Sequence, residues 1–365
     1  MFMEQAIEQA KKSIGFTSPN PAVGAILVKN NKIIAAGRTR PAGGNHAEIE
    51  AIKNAGSAAA GADLFVLLEP CCHTGRTGPC VEAIIEAGIK KVFIGMKDPN
   101  PKVNGGGIKQ LKKAGIEIEL LPAKSKLARE IRDINQPFIK SIATGLPYVV
   151  MKAAVSLDGK IATATGESKW ITGSVARVDA RLERSVCDAV LVGAGTVAAD
   201  NPELAPSGKF KNKKLLRVII DGDLSTSPAS LVYRDKNVLV ARTDSAPKKR
   251  VKLFTVGGIK TESFGETEVS IPKLLRQLAK NGVQKIFVEG GGGVHGAFAD
   301  AARKNKRIVD KVIFYIAPKI IGGTRSLSAV GGAGAEKLTN ALKISDWSGE
   351  KIGDDFRITG FVNKY

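Results

Sequence analysis

The sequence predicts an α/β fold in two halves, and three observations predict it. Short apolar runs rich in β-branched residues, fit for buried strands, alternate along the whole chain with stretches whose apolar residues recur at helical spacing. Near the middle, Thr144-Gly145-Leu146-Pro147 breaks any regular structure. The reactive side chains also change there: His46, Cys71, Cys72, His73 and Cys80 precede the break, and only Cys187 and His295 follow it. A boundary near residue 145 is therefore expected, with domains at 1–145 and 146–365. A chain of 365 residues can fill two ordinary cores. With 43% hydrophobic and 25% charged residues it should fold rather than stay disordered.

In the first half, Ala6, Ile7, Ala10 and Ile14 share one face of a helix over residues 3–14 that ends at Gly15. Runs at 22–28 and 33–36 flank Asn30-Asn31, which tolerate positive φ, so a β-hairpin is expected. Asn45 is a good N-cap for a helix over 46–54, and 64–68 reads as a short buried strand. Pro79 suits the first turn of a helix over 81–87. A strand at 92–95 closes on Asp98-Pro99-Asn100-Pro101, then a helix at 108–114 leads to a strand at 116–120. Residues 124–140 form a charged helical segment. In the second half, buried strands are expected at 148–155, 189–192, 215–220, 238–240, 285–288 and 312–316, with helices between them.

The chemistry concentrates between His46 and Cys80. His46-Ala47-Glu48, followed by Pro70-Cys71, follows the zinc deaminase pattern in which the glutamate carries protons and is not a ligand. One imidazole and two thiolates leave the fourth tetrahedral position of a zinc ion open, as a catalytic site requires. Zinc held this way brings the pKa of a water down to about 7, so a nucleophile is available at neutral pH. The pattern is departed from at Thr74, where a cysteine would stand three residues after Cys71. The third ligand is then Cys72 or Cys80, and Cys80 is preferred because a helix N-terminus favours its thiolate. His73 is a rival ligand better suited to substrate contact or to supporting the ligands. Three clustered cysteines can also make a closed structural metal knot, but the open position argues against that.

Charge and cysteine usage narrow the surroundings. A net charge of +20 raises nucleic acid as a partner, yet the Lys and Arg clusters near 112, 209–214, 248–250 and 303–307 are scattered, with few aromatics between them to stack bases. The positive field suits phosphorylated small molecules instead, and no nucleic-acid partner is expected. Four cysteines, three of them in one cluster, do not form a disulfide framework, so a reducing cytoplasm is expected. The start has neither the basic end nor the apolar run of a signal peptide, and no membrane association is expected.

Two strands of the second half end in glycine-rich turns, Gly193-Ala194-Gly195-Thr196-Val197 and Glu289-Gly290-Gly291-Gly292-Gly293-Val294-His295-Gly296. Glycine lets a pyrophosphate approach the backbone, and a helix N-terminus favours anions. Both turns fit Gly-x-Gly-x-x-Gly/Ala, but neither follows the first strand of its half, as a Rossmann fingerprint would. Each alone is compatible with plain turn chemistry. Together they favour a nucleotide.

These segments resemble the bifunctional riboflavin biosynthesis deaminase-reductases over nearly the whole chain. Pro19-Asn20-Pro21-Ala22-Val23-Gly24 matches an early motif of that family. The segment from Pro70 to Cys80 matches its second zinc motif, with Gly78 where a proline is usual. The stretches Met151-Lys152-Ala153-Ala154-Val155-Ser156-Leu157-Asp158-Gly159-Lys160, Gly166-Glu167-Ser168-Lys169-Trp170-Ile171-Thr172 and Val197-Ala198-Ala199-Asp200-Asn201-Pro202-Glu203-Leu204 match its reductase half. The resemblance implies a cytidine-deaminase-like α/β/α domain followed by a dihydrofolate-reductase-like domain that uses NADPH. It implies that Asn20, Arg76, Asp98 and Asn100 hold the substrate in the first half, although Asn and Asp beside proline are also ordinary turn residues. In the second half it places Ala154, Trp170, Thr196, Asp200, Gly291, Gly292, Gly293, Val294, His295, Gly296 and Ala297 on the cofactor. Lys152, Ser168, Arg184, Leu204 and Glu289 would face the substrate. Some relatives carry an arginine three residues beyond the matching leucine, where this chain has Ser207.

The expected function is zinc-dependent deamination of 2,5-diamino-6-ribosylamino-4(3H)-pyrimidinone 5′-phosphate, followed by NADPH-dependent reduction of the ribosyl group to ribityl, in a homo-oligomer. Two rivals are a zinc-dependent RNA base deaminase, which leaves the second half idle, and a non-catalytic zinc-stabilised nucleotide-binding module, which leaves Glu48 unexplained.

Overall fold

A computed structural model describes residues 1–73, 78–101 and 103–365. Arg76, expected at the substrate, lies outside the described residues. The chain divides into two compact units, Met1–Gly145 with Tyr365, and Leu146–Lys364.

The first unit runs α1 (Phe2–Lys11), β1 (Gly24–Lys29), β2 (Lys32–Arg38), α2 (Ala47–Ala55), β3 (Asp63–Leu68), α3 (Cys80–Glu86), β4 (Lys91–Met96), α4 (Gly106–Lys113), β5 (Glu117–Leu120) and α5 (Lys126–Thr144). Its sheet has the order β2-β1-β3-β4-β5, with β1 antiparallel to β2 and β3, and the last three strands parallel. The hairpin turns on Asn30 and Asn31, whose φ values of 51° and 59° are left-handed. The core joins Ala6, Ile7 and Ala10 of α1 and Ala47 and Ala51 of α2 to Ile26, Leu64, Val66, Val92 and Ile94 of the sheet. Helix α2 lies close on β2 because Gly37 has no side chain: a Cβ there would sit 2.1 Å from the carbonyl oxygen of Ala47.

The second unit continues with β6 (Tyr148–Ser156), α6 (Ser174–Ser185), β7 (Ala189–Gly193), α7 (Ala194–Asp200), β8 (Leu216–Ile220), β9 (Val238–Arg242), α8 (Lys248–Val256) and β10 (Lys260–Ser263). It ends with α9 (Ile271–Lys280), β11 (Lys285–Gly290), α10 (Gly292–Lys304), β12 (Lys311–Ala317), β13 (Ser345–Ile352) and β14 (Asp355–Phe361). Its sheet has the order β10-β9-β8-β7-β11-β6-β12-β14-β13 and is parallel until β14 and β13 close one edge antiparallel. Both faces of the parallel part are covered, so β7 reads as an unbroken buried run, Ala189 to Gly193.

The α/β class is the one expected. Several local readings need correction. Helix α1 stops at Lys11 rather than reaching residue 14. His46, not Asn45, occupies the N-cap of α2, because the Asn45 amide donates instead to Glu50 at 2.8 Å. Pro79 caps α3 from outside its first turn. Strands β10, β13 and β14 were not anticipated: β10 is polar, and β13 is exposed along most of its length, so neither carries an apolar run.

Candidate active sites

In the first unit, three residues from separate segments converge. His46 caps α2, Cys80 opens α3, and Cys71 follows β3 and Pro70. The His46 Nδ1 lies 3.2 Å from Cys80 Sγ and 3.6 Å from Cys71 Sγ, and all three candidate ligand atoms are within 4.8 Å of one another. Zinc–nitrogen and zinc–sulfur bonds of about 2.0 and 2.3 Å at a tetrahedral angle put N and S about 3.5 Å apart. The two observed separations bracket that spacing, and one nitrogen with two sulfurs is a donor set zinc favours, so the residues fit the ion. The Cys80 thiol and then His46 hold the Cys71 thiol down to about 4, while the thiolate beside it and burial push Cys80 up. Cys72 points elsewhere, toward α4, where a Cβ on Gly106 would lie 2.8 Å from its sulfur.

Glu48 sits in the first turn of α2, only 4% exposed. Burial, followed by the negative charge of Cys71, raises its pKa to about 7. A carboxyl that exchanges protons near neutrality beside a metal-ligand cluster is suited to general acid–base work.

The other residues expected at this site lie on two loops, and buried side chains the sequence did not single out fix both. Asn135 of α5 accepts from the Ala22 amide at 3.0 Å and donates to the Ala22 carbonyl at 3.2 Å, holding the segment that carries Asn20. Glu69, 2% exposed, accepts the backbone N–H groups of Asp98, Gly105 and Ile108 at 3.4, 3.0 and 3.1 Å. It ties the Cys71 segment to the loop of Asp98 and Asn100 and to the start of α4. Gly107 completes the join, since a Cβ there would fall 2.0 Å from the Pro70 carbonyl oxygen. Asp98 is buried and accepts from the Asn100 amide at 2.8 Å; burial raises its pKa to about 6, with Glu69 adding to the effect. The only sequence signal for Glu69 was its place before Pro70-Cys71.

In the second unit a cavity of about 980 Å³ brings together Lys152, Ala154, Ser168, Trp170, Arg184, Thr196, Asp200, Leu204, Glu289, Gly291, Gly292, Gly293, Val294 and His295. That volume suits a dinucleotide's reactive end beside a small substrate. Glu289 receives both nitrogens of one edge of the Arg184 guanidinium, with Lys152 Nζ 4.0 Å away. Burial alone would raise Glu289, but Arg184 and Lys152 hold it below the ordinary carboxylate value. Burial lowers the Lys152 ammonium. The Arg177 guanidinium lies 4.5 Å over the exposed Trp170 ring, and Lys169 pairs with Asp200 at 3.2 Å.

Gly296 and Ala297 do not line the cavity. Only the first turn of α10 has unpaired N–H groups to offer, and Gly296 instead packs under Gly331 and Gly332. The His295 ring turns inward, with Nδ1 2.9 Å from the Ala329 carbonyl and Nε2 3.3 Å from that of Val288. Burial lowers its pKa, and its backbone N–H donates to the Gly291 carbonyl at 3.1 Å.

Comparison with known proteins finds both halves. Residues 1–96 match the cytidine and deoxycytidylate deaminase zinc-binding region, and residues 147–357 match the RibD C-terminal domain. The chain is 42% identical to riboflavin biosynthesis protein RibD of Bacillus amyloliquefaciens, over 98% of this chain and 95% of that one. A diaminohydroxyphosphoribosylaminopyrimidine deaminase/5-amino-6-(5-phosphoribosylamino)uracil reductase from Thermotoga maritima is 34% identical with a TM-score of 0.84, over 99% and 97% of the two chains. RibD of Acinetobacter baumannii is 32% identical with a TM-score of 0.83, also over 99% and 97%.

Proposed function

The chain belongs to the RibD family, the bifunctional deaminase-reductases of riboflavin biosynthesis, and from that premise we propose how its residues divide the two reactions. The deaminase takes 2,5-diamino-6-ribosylamino-4(3H)-pyrimidinone 5′-phosphate and releases ammonia; the reductase then converts the ribosyl group of the product to ribityl with NADPH. The observation that carries the reading is the convergence of His46, Cys71 and Cys80 beside a buried Glu48.

His46, Cys71 and Cys80 would hold zinc, which when bound supplies the Lewis acidity that makes a water nucleophilic at neutral pH. Glu48 carries the water's first proton to the ring nitrogen and then its second proton, from the new carbon-bound hydroxyl, to the amine, which departs as ammonia. Asp98 and Asn100, fixed by Glu69, and Asn20, fixed through Asn135, orient the pyrimidine. Arg76 is assigned to the substrate by its motif alone.

In the second cavity NADPH, when bound, supplies the hydride. Ala154, Trp170, Thr196, Asp200 and the first turn of α10, from Gly291 to His295, position it. The triad of Lys152, Glu289 and Arg184 orients the sugar, with Ser168 and Leu204 beside it. No side chain attacks covalently; the contribution is positioning and charge.

The reading carries with it a cytoplasmic setting, self-association and a small phosphorylated ligand rather than nucleic acid. Among the described residues no helix is long and apolar enough to cross a membrane. Incubating the purified protein with the diaminopyrimidine phosphate tests the assignment. Ammonia should appear without NADPH, and NADPH should be consumed only once ammonia has been released. NADPH oxidation without deaminated product, or neither reaction, overturns it.

A further inference from the structure

We propose that Arg181 anchors the phosphate of the reductase substrate. The inference rests on the reading that the second cavity takes a phosphorylated ribosylaminopyrimidine.

Helix α6 presents Arg177, Arg181 and Arg184 to the cavity at positions i, i+4 and i+7, one stripe of the helix. Two of these guanidiniums are committed. Arg177 donates to the Thr172 carbonyl at 2.5 Å and covers Trp170. Arg184 is bound along one edge by Glu289 and donates to the Ala205 carbonyl at 3.2 Å. The lysines lining the cavity are also engaged, Lys152 near Glu289 and Lys169 with Asp200. Among the described residues, the side chain of Arg181 has no ion pair, hydrogen bond or ring contact, and it is exposed at the cavity wall.

The loop that faces this turn of α6 offers no cation of its own. Ser207 donates its N–H to Ser185 Oγ at 2.8 Å, Ser185 Oγ bonds back to the Arg181 carbonyl at 2.6 Å, and the Ser207 and Ser185 hydroxyls are 3.4 Å apart. Residues 204–207 are thereby stitched to residues 181–185, and the stitched segment, Leu204-Ala205-Pro206-Ser207, brings no positive charge. A phosphate monoester seated at that end of the cavity meets one uncommitted guanidinium, whose fork suits two phosphate oxygens. Two phosphate monoesters are brought by the ligands in this reading, the substrate's 5′-phosphate and the cofactor's 2′-phosphate, and the cofactor's pyrophosphate is assigned to the glycine-rich turns. Arg181 lies one turn from Arg184 on α6, next to the loop that Arg184 and Ser185 hold through Ala205 and Ser207, and this puts it with the substrate.

The test uses the full chain, NADPH, and the deaminated intermediate 5-amino-6-(5-phosphoribosylamino)uracil with and without its phosphate. Arg181→Ala should raise KM for the phosphorylated intermediate about 10- to 100-fold with kcat little changed, the range of a lost charge-assisted contact. KM for NADPH and for the dephosphorylated compound should stay put. Arg181→Lys should recover much of the loss, since it restores the charge without the fork. An unchanged KM for the phosphorylated intermediate overturns the proposal, as does an equal loss on the dephosphorylated one. A raised KM for NADPH alone assigns Arg181 to the cofactor's phosphate and also overturns it. If the unmutated protein reduces neither compound, the reductase reading fails, and the anchor with it.

Discussion

Glu48 and Lys152 show opposite ways in which burial is used. Burial and the neighbouring Cys71 bring Glu48 to about 7, and in the proposed proton-carrying role Glu48→Gln should retain zinc while ammonia release falls by about 10²- to 10⁴-fold. The same variant should consume NADPH at the parental rate when given the deaminated intermediate; metal analysis and the two assays decide it, and normal deamination would leave Glu48 without a role. Lys152 is moved down from its ordinary 10.5 by burial, against the pull of Glu289. Its ammonium therefore loses its proton at lower pH than an exposed lysine would. The alkaline limb of reductase kcat/KM should set in below 10.5, and Lys152→Arg should carry it upward because guanidinium stays charged. The effect on stability has the opposite sense, since the buried ammonium costs stability at low pH and the cost is relieved as pH rises through the folded pKa. A limb that does not move in Lys152→Arg clears Lys152 of responsibility. At this scale the convergence of His46, Cys71 and Cys80 was legible, because a metal demands fixed residue types at fixed spacing. Arg181 was not legible, because spacing cannot say which of three arginines on one helix lacks a partner.

Helix α4 illustrates how an element can depend on one missing side chain. Replacing Gly107 with alanine gains about 1 kcal/mol of intrinsic helix propensity. The new Cβ, however, would meet the rigid backbone carbonyl of Pro70 at 2.0 Å, and overpacking of this kind costs about 1–3 kcal/mol. The clash should win. Gly107→Ala should lower the melting temperature of the deaminase unit, loosen the Glu69 clamp and raise KM for the diaminopyrimidine, while reductase kinetics hold. Calorimetry and the two assays check it, and a stabilised variant with unchanged KM would show that α4 shifts freely. The strands with apolar runs, such as β3, β7 and β12, were legible because no residue along them is fully exposed and β7 is buried throughout. Strands β10 and β13 were not, because an edge strand in contact with water looks like loop. Asn45 failed as a cap for a local reason: its amide had a better use on Glu50.

Each unit has its own core and its own site, so stripping the metal should separate the two activities. Chelation should abolish ammonia release and leave NADPH consumption intact when the deaminated intermediate is supplied, with ammonia release returning on zinc addition. Loss of both activities would mean that the second cavity depends on the first unit. The stop of α5 at Gly145, where φ is a left-handed 66°, was legible. The order of strands was not, because hydrophobic pattern records burial and not neighbours. In that order β11 lies between β7 and β6, yet it is translated some hundred residues after β7. At about 5–20 residues per second, a nascent chain carries β6 and β7 with their inner edges unpaired for roughly 5–20 s before β11 emerges. Until then neither Glu289 nor the α10 turn exists to bind anything, so cofactor cannot assist early folding. The ribosome-bound intermediate is thereby open to wrong strand pairing, and slowing translation across residues 200–285 should lengthen its dependence on chaperones.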